Sequence, residues 1–426
     1  MPLNFLGSVI TEGTGVIPYY DQIKRYGPPL LVTGLLKRYF AGATNTWERD
    51  LHGRVVIITG GTSGLGAAVA RDLAERGAQL ILLVKTTQDE WLVNFINDLR
   101  DLTGNHLIYA EEADLADFYS VRKFATKWIN NSPPRRLDMV ICCAGVALPP
   151  SSSRAATQDG VELHLQTNYM GHYHLLNILS PALRAQPPDR DVRVILTSCI
   201  SSVMADFDIG DLEFSRRGYP SYRPWRVFGS SKLALTLFGY EFQRRLNEYE
   251  RPDKAPNNVH VSIVDPGMMR SPSFKRFVSM GSLIGLLIYV LLWPIWWFFL
   301  KTSIDGSQSI LFAAMSPEVK DTLEATYISE CRVRQAPPRK EITSPELQKD
   351  LFEVTDKIVQ ETEKSSVIAR KRMESKNSEK PNGDTSSFKT DNSTKKPACT
   401  TAKTTATSQT ASSTAKAKKT KKTPKI

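Results

Sequence analysis

The stretch VVIITGGTSGLGAAVARDLAERG, residues 55–77, decides the fold. A short apolar run typical of a buried strand leads into a glycine-rich turn, and an amphipathic helical pattern follows. Gly60 allows the tight turn, while Gly64 and Gly66 let the backbone approach a pyrophosphate and let the helix pack on the strand. An ordinary strand-to-helix turn is the alternative. Because strand and helix patterns flank the glycines, we predict a dinucleotide-binding loop with the phosphates at the helix N-terminus.

The second strand, LILLV, indicates which dinucleotide binds. It ends at Lys85, where a protein that selects the ribose 2′-hydroxyl carries a carboxylate, so a cation there favours a 2′-phosphate and hence NADP(H). Asp114 and Leu115 follow the third strand, where an adenine edge would be met, although Asp114 is equally suited to cap a helix. The predicted cofactor contacts of these regions are Gly60, Thr62, Ser63, Gly64, Leu65, Gly66, Lys85, Asp114 and Leu115.

Short apolar runs alternate with amphipathic helical patterns between Arg54 and Val264. This alternation predicts an α/β fold, a doubly wound parallel sheet of Rossmann type with helices on both faces. The candidate strands are VVIIT, LILLV, LIYAE, DMVIC, VRVILT and VHVSIV.

The net charge of +11 is concentrated at the C-terminus. Residues 366–426 hold 15 Lys/Arg and 4 Asp/Glu, so the remaining residues hold 40 of each and are neutral. This segment nearly lacks large apolar residues, which predicts a disordered basic tail. Contact with anionic lipid or nucleic acid is the alternative, and nucleic acid has only the charge count in its favour. Five cysteines without metal-ligand or disulfide-framework spacing predict a reducing, cytosol-facing compartment and no metal site.

Residues 278–300, VSMGSLIGLLIYVLLWPIWWFFL, contain no charged residue and are flanked by Lys275, Arg276 and Lys301. As one helix they would extend about 34 Å, enough for the hydrocarbon core of a bilayer. Pro294 and the basic residues at both ends make a bent insertion into one face as plausible as a full span. A buried core helix is the third interpretation, but the aromatic run WWFF, residues 296–299, is more typical of a bilayer interface. We therefore predict that residues 277–301 insert into a membrane.

The remaining segments complete the predicted organisation. Residues 1–50 form an N-terminal extension whose apolar run is too short to cross a bilayer, so it packs on the domain or lies at a membrane surface. The nucleotide-binding domain covers residues 51–276, and residues 302–330 supply its final helix. A C-terminal helix covers residues 340–365, with Ser344 as its N-cap and Pro345 in its first turn.

Five motifs in order, TGGTSGLG, DMVICCAGV, TNYMGHYHLL, GSSK and DPGMMRS, resemble the short-chain dehydrogenase/reductase family. The resemblance covers residues 51–330 and is nearest to the retinol-dehydrogenase-like branch, in particular to fungal members with an apolar insertion. It implies hydride transfer between a nicotinamide cofactor and a carbonyl or alcohol, with general acid/base catalysis. By position it adds Ala144, Gly145, Pro266 and Gly267 to the predicted cofactor contacts. Cys142 and Cys143 stand where family members usually carry asparagine.

The family's catalytic asparagine and lysine correspond to Asn168 in TNYMGH and Lys232 in FGSSK. Both are also expected to contact the cofactor. The serine position falls on Cys199, with Ser198 and Ser201 beside it, and a thiol is a weaker hydrogen-bond donor than a hydroxyl.

The family's tyrosine position is occupied by Phe228, one helical turn before Lys232. A phenyl ring cannot exchange a proton, so the general-acid contribution of about 10²- to 10⁴-fold requires another group. Tyr222, or else Tyr219, in the preceding loop is the predicted replacement if that loop folds inward.

Two functions compete. The first is a membrane-associated, NADP(H)-dependent oxidoreductase that acts on a lipophilic carbonyl or alcohol, because an apolar insertion beside the site would open it toward lipid. The second is a dinucleotide-binding scaffold or sensor at a membrane, favoured by Phe228 and Cys199. The resemblance to fungal members points to the endoplasmic reticulum or lipid droplets, and a homodimer is among the expected assemblies.

Overall fold

The computed structural model describes residues 19–150 and 152–378. The chain divides into two units, residues 1–373 and 374–426. The first contains the sheet and all the helices that cover it. Of the second, residues 374–378 are described and are helical. The predicted disordered tail falls outside the described residues from residue 379 onward.

One eight-stranded sheet forms the centre of the first unit, in the order β3-β2-β1-β4-β5-β6-β7-β8. All neighbouring strands are parallel except β7 and β8, which form an antiparallel pair. The strands are β1 (Val55–Thr59), β2 (Gln79–Val84), β3 (Ile108–Glu112), β4 (Met139–Cys142), β5 (Val192–Thr197), β6 (Val259–Asp265), β7 (Thr326–Ser329) and β8 (Arg332–Arg334).

Helices connect the strands and cover both faces of the sheet. Among the described residues they are α1 (Tyr20–Ala41), α2 (Gly64–Glu75), α3 (Glu90–Thr103), α4 (Phe118–Ile129), α5 (Gly171–Arg184), α6 (Pro224–Glu248), α7 (Pro272–Ser279), α8 (Leu283–Leu291), α9 (Trp293–Phe299), α10 (Ser303–Met315) and α11 (Pro345–Ser378). A turn of π-helix, Gln166–Met170, leads into α5, and a 3₁₀ turn, Ile200–Met204, follows β5.

The core has two layers, one on each face of the sheet. Every residue of β1 is buried, because α2 and α10 cover one face while α4, α5 and α6 cover the other. The sequence of a strand that is covered on both faces is a nearly continuous apolar run, which is why VVIIT and VRVILT are recognisable as strands. The predicted Rossmann-type sheet is therefore confirmed, and the six predicted strands end within one residue of the observed ones.

Two predicted boundaries are wrong. Residues 302–330 hold more than a final helix, because α10 is followed by the seventh parallel strand, β7. Its residues, TYIS, begin and end with polar side chains and give no continuous apolar run like MVIC in β4, which has the same length. The C-terminal helix was expected to end at residue 365, but α11 continues to Ser378, into the segment predicted as tail.

The apolar segment is three short helices rather than one. α7 and α8 meet at Met280 and Gly281, whose positive φ angles of 50° and 67° turn the chain sharply. Pro294 lies in the first turn of α9, where a missing N–H costs no hydrogen bond. No individual helix among the described residues has the length and apolar composition to cross a bilayer. Within residues 19–150 and 152–378, only α7 and α8 taken together meet that criterion, and they are bent by 115°.

The ends of this insertion are joined by backbone hydrogen bonds. Lys301 N donates to Met268 O at 3.1 Å, and Arg270 N donates to Lys301 O at 2.9 Å. The chain therefore leaves the sheet after β6 and returns to nearly the same place. We call residues 271–300 the insertion.

The N-terminal extension contains α1, whose C-terminal end packs against the insertion. The Phe40 ring lies 5.6 Å from the Phe298 ring and 5.0 Å from the Phe299 ring, and Lys37 Nζ lies 3.4 Å from Leu300 O. The contacts of α1 are thus with the insertion, through Lys37 and Phe40.

The C-terminal helix α11 packs on α5 and α6. Tyr169 and Thr355 share a hydrogen bond of 2.8 Å between their hydroxyls, and the Phe352 ring lies 5.0 Å from that of Tyr173. Before α11, Arg339 Nη1 donates to the carbonyl oxygens of Ser202, Val203 and Ala205 at 2.9–3.1 Å. The C-terminal segment thus supports the two stretches of chain that carry Asn168 and Cys199.

Candidate active site

The glycine-rich loop after β1 is shaped by close backbone approach. Gly60 has a φ of 66°, and a Cβ there would lie 2.8 Å from Ala144 Cα. A Cβ on Gly66 would lie 2.2 Å from Gly60 O. Only glycine fits both positions, so the turn stays tight and α2 begins at Gly64 with its N-terminus free to meet an anion. The glycines therefore leave open space at the start of α2, where the sequence predicts the pyrophosphate.

A cavity of about 670 Å³ follows the carboxyl ends of the strands and begins at this loop. In doubly wound sheets this edge is where ligands bind. Its lining includes these predicted cofactor contacts: Gly60, Thr62, Ser63, Gly64, Leu65, Gly66, Lys85, Asp114, Leu115, Ala144, Gly145, Lys232, Pro266 and Gly267. Asn168 is the one predicted contact outside that lining. Thr86, Asp89 and Trp91 also line the cavity and are not predicted from the sequence, because they lie in the irregular loop after β2 and at the start of α3.

Lys85 and Asp114 lie side by side in the cavity lining, just after β2 and β3. Lys85 Nζ lies 3.6 Å from an Asp114 carboxylate oxygen, and the Lys85 side chain is 67% exposed. Such an exposed pair contributes little stability, so the lysine can turn toward a ligand phosphate. The Asp114 carboxylate also accepts a hydrogen bond of 3.0 Å from Ala116 N, but Asp117 is the residue that caps α4, so the capping role considered for Asp114 is not observed.

Lys232 lies in the middle of the cavity wall and is 4% exposed. Its Nζ donates to Thr197 O at 2.8 Å and lies 5.9 Å from the centre of the Phe228 ring. Burial lowers the pKa of Lys232, and the neighbouring Cys199 and Cys143 thiols act in the opposite direction. The amine is therefore close to both the end of β5 and the position where the family carries its tyrosine.

Asn168 holds the loop after β4 instead of facing the cavity. Its Oδ1 accepts from Val146 N at 2.7 Å, and its Nδ2 donates to Val146 O and to Ser231 Oγ, both at 3.0 Å. It lies in the π-helical turn, a feature common at functional sites. The amide thereby positions the cavity wall formed by residues 144–148.

His172 is a site residue that the sequence reasoning missed. It is fully buried, and burial lowers its pKa to about 3, so the ring is neutral. Its Nδ1 lies 3.2 Å from Asn168 O and its Nε2 3.0 Å from Thr59 Oγ1, which in turn accepts from Ala144 N at 3.1 Å. Nδ1 must donate to the carbonyl, so Nε2 accepts from the threonine. The available signal was its spacing of four residues from Asn168, one helical turn.

The side chains after β5 differ in whether they are available to a ligand in the cavity. Ser198 is 2% exposed and its hydroxyl is bonded to Thr236 Oγ1 at 2.9 Å, so it faces α6 rather than substrate. Cys199 is half-buried and lines the cavity. Ser201 also lines the cavity, and its hydroxyl has no hydrogen-bond partner among the described residues. Of these three residues, Cys199 and Ser201 thus line the cavity without being bonded to α6 through their side chains in the way that Ser198 is.

Neither predicted replacement tyrosine lines the cavity. Tyr222 is 82% exposed, so its assignment as a catalytic residue is corrected. Tyr219 donates to Glu162 Oε1 at 3.3 Å, and burial together with that carboxylate raises its pKa. The loop folds onto Glu162 because a buried carboxylate attracts the phenol more strongly than the apolar wall does.

The cysteines before the cavity are structural. Cys142 is fully buried at the end of β4, and burial raises the pKa of its thiol. Burial also raises the pKa of Cys143 to about 11, and Thr197 Oγ1 lies 3.6 Å from its sulfur. Both thiols stay protonated at neutral pH.

The far end of the cavity is aromatic. Trp225, Phe228, Phe274 and Phe277 line it, and the Trp225 and Phe277 rings lie 6.5 Å apart. Two of these residues belong to α6 and two to α7, so the insertion supplies part of the wall. This end suits an apolar ligand.

Comparison with known proteins agrees with this geometry. A family model described as short chain dehydrogenase matches residues 54–207. The protein named uncharacterized oxidoreductase pbr1 from Schizosaccharomyces pombe is 43% identical over 349 residues, which cover 82% of this chain and 93% of the relative. The chain belongs to the short-chain dehydrogenase/reductase family. It is thus an oxidoreductase of this family, and the family uses nicotinamide dinucleotides as cofactors.

Two further similarities extend the comparison. Human retinol dehydrogenase 13 is 30% identical over 344 residues, which cover 79% of this short-chain dehydrogenase/reductase and 96% of the human protein. The crystal structure of a putative uncharacterized protein from Mycobacterium Paratuberculosis matches with a TM-score of 0.53 at 24% identity, and covers 75% of this chain and 98% of its own. The first confirms the resemblance to the retinol-dehydrogenase-like branch; the second shows the fold.

Proposed function

We propose that this protein is an NADP(H)-dependent oxidoreductase that acts on a lipophilic carbonyl or alcohol at a membrane. The carrying observation is a single cavity that joins the glycine-rich loop to an aromatic wall, with Lys232 between them. The loop can hold a dinucleotide, because a side chain at Gly60 or Gly66 would fill the space that the backbone leaves.

NADP(H) is proposed over NAD(H) because of the charge at the end of β2. Lys85 is exposed and lines the cavity, whereas selection of a ribose 2′-hydroxyl requires a carboxylate at this position. A lysine can pair with a 2′-phosphate as a point charge.

Reduction of a carbonyl adds a hydride to carbon and a proton to oxygen. A bound nicotinamide supplies or accepts the hydride. Lys232 stabilises negative charge that develops on the substrate oxygen, and its burial strengthens that effect. Phe228 carries no exchangeable proton, so Cys199, Ser201 or water must supply it, and turnover is slow compared with an enzyme that has a tyrosine there.

The insertion supports the proposed membrane location. The aromatic residues Phe274 and Phe277 belong to α7, and α8 follows with strongly exposed leucine and isoleucine side chains. Lipid contact there would bring an apolar substrate to the cavity from the membrane. The cytosolic face of the endoplasmic reticulum or of a lipid droplet is the proposed location, supported by the resemblance to fungal members.

The test is NADPH oxidation with a series of long-chain ketones and aldehydes by the purified protein. We expect slow turnover above that of a Lys232→Ala variant, with NADH a poorer donor. Wild-type turnover equal to that of Lys232→Ala, with NADPH still bound, would favour the alternative function, a dinucleotide-binding scaffold or sensor. That alternative rests on Phe228, which removes the family's proton donor.

A further inference from the structure

Two segments far apart in the sequence each expose a cluster of apolar side chains. On α1, Leu30, Leu31, Val32, Leu35 and Tyr39 are 55–78% exposed. On α8, Leu283, Ile284, Leu287, Val290 and Leu291 are 59–86% exposed. Single exposed apolar residues are ordinary, but clusters of this size mark an interaction surface.

The helix α9 connects the two clusters into one surface. It follows α8 directly, and Phe298 and Phe299 contact Phe40 of α1. Lys37 of α1 lies 5.5 Å from the centre of the Trp297 ring. We call α1, α8 and α9 the apolar platform.

The charges on and beside the apolar platform are mostly positive. Residues 19–41 and 266–302 contain eight Lys/Arg and a single acidic residue, Asp21, whereas residues 1–365 as a whole are neutral. One of the eight, Lys301, is buried and paired with Glu330, which leaves seven basic residues. A surface with an apolar centre and a basic surround matches an anionic lipid leaflet. A second copy of the chain fits worse, because two such surfaces would place basic residues against basic residues.

The length of the helices limits how deep they can enter. α8 has nine residues and α9 seven, so they extend about 13 Å and about 10 Å, against about 30 Å for a hydrocarbon core. They can therefore lie in one leaflet, at the boundary between headgroups and acyl chains.

We propose that α1, α8 and α9 act together as a docking surface for one leaflet of an anionic membrane. Neither segment alone supplies the whole surface, so both must be intact. The proposal rests on the proposed function in one respect: docking would bring an apolar substrate to the cavity beside α7. Docking itself requires no turnover.

The experiment uses the full-length protein and vesicles of phosphatidylcholine with or without about one third phosphatidylserine. We expect flotation with the anionic vesicles and a loss of at least tenfold in bound fraction for Leu31→Asp/Leu35→Asp and for Leu287→Asp/Leu291→Asp, because a carboxylate costs several kcal/mol in apolar surroundings. The matched control is Leu102→Asp/Leu323→Asp, which changes two side chains that are 65% and 70% exposed outside the platform. This control should float like the wild type.

A depth measurement separates docking from attraction of the basic tail. Vesicles that contain brominated lipid should quench tryptophan fluorescence in the wild type, and Trp293→Phe/Trp297→Phe should remove most of that quenching. Flotation without quenching, or platform variants that bind like the control, would overturn the proposal. A dimer that forms with increasing protein concentration in the absence of lipid, and that the platform substitutions dissociate, would also overturn the proposal. Unchanged NADPH affinity verifies folding of every variant, and absent turnover would affect the proposed function alone.

Discussion

Phe228 is the residue at which the fold and the expected chemistry separate. Its ring and the Lys232 amine are 5.9 Å apart, so the positions that the family uses for acid and lysine are still adjacent. Compared with a tyrosine at this position, the phenylalanine makes the cavity wall more apolar and lacks the phenol hydroxyl. The sequence alone predicts this substitution, because Phe228 and Lys232 are a fixed helical turn apart. Sequence could not show where Tyr219 and Tyr222 lie, since loop conformation depends on distant partners such as Glu162.

Restoring the tyrosine tests this reading. Phe228→Tyr should raise carbonyl reduction by about 10²- to 10⁴-fold, because the phenol would lie beside a cation that lowers its pKa. Steady-state NADPH oxidation measures the gain. The same substitution combined with Lys232→Ala should show no comparable increase; if it does, the gain does not come from the predicted pair.

Lys85 sets the expected preference between the two dinucleotides. Lys85→Ala should weaken NADPH binding about 10- to 100-fold and leave NADH binding unchanged, because only a 2′-phosphate uses this charge. Fluorescence titration measures both affinities. Lys123→Ala, which removes an exposed lysine of α4 away from the cavity, is the control. Equal losses for NADPH and NADH would contradict the assignment.

At the scale of secondary-structure elements, the sequence predicts the composition of a segment better than it predicts the geometry of that segment. The apolar insertion is evident from 23 residues without a charge, but its division into three helices depends on Met280 adopting a left-handed conformation, which is unfavourable for that residue alone. The glycine-rich loop is predicted correctly because its geometry is local: strand, glycines and helix are consecutive.

The connection before α11 is a second element with a specific role. Arg339 bonds three carbonyl oxygens of the chain that follows Cys199 and is held by Glu341 through its Nη2 at 2.6 Å. Arg339→Met should lower the free energy of unfolding by about 2–3 kcal/mol, since bonds from a charged donor are lost. Urea denaturation measures the change, and faster amide exchange over residues 199–205 should accompany it. Arg334→Met, on an exposed strand, should alter neither quantity.

At the scale of the whole molecule, a buried ion cluster joins the N-terminal extension to the sheet. Asp191 pairs with Arg193 at 2.7 Å, Arg49 at 2.9 Å and Lys320 at 3.4 Å. Burial of Asp191 opposes ionisation, but the three cations outweigh it and lower its pKa to about 2. The sequence gives no sign that Arg49 and Lys320 join Asp191 and Arg193, whereas the neutral charge of residues 1–365 beside the basic tail is read from it directly.

The cluster predicts a pH dependence of stability. The folded pKa of Asp191 lies below its ordinary value of about 3.9, so the carboxylate stabilises the fold above about pH 4 and loses this effect as pH falls toward 2. Asp191→Asn should cost about 3 kcal/mol at pH 7 and much less near pH 2.5. Urea unfolding at both pH values tests it, with Asp98→Asn on the exposed side of α3 as the control. A cost independent of pH would contradict the assignment.

The paired hydrogen bonds of Lys301 with Met268 and Arg270 have a consequence for how this protein can change over evolution. Because the insertion begins and ends at one point beside β6, its length is separated from the geometry of the sheet. Doubling a loop whose ends are already held together costs only about 0.6 kcal/mol of closure entropy. Relatives can therefore lengthen, shorten or replace this module and acquire a different attachment or a different substrate wall while the cofactor cradle stays unchanged.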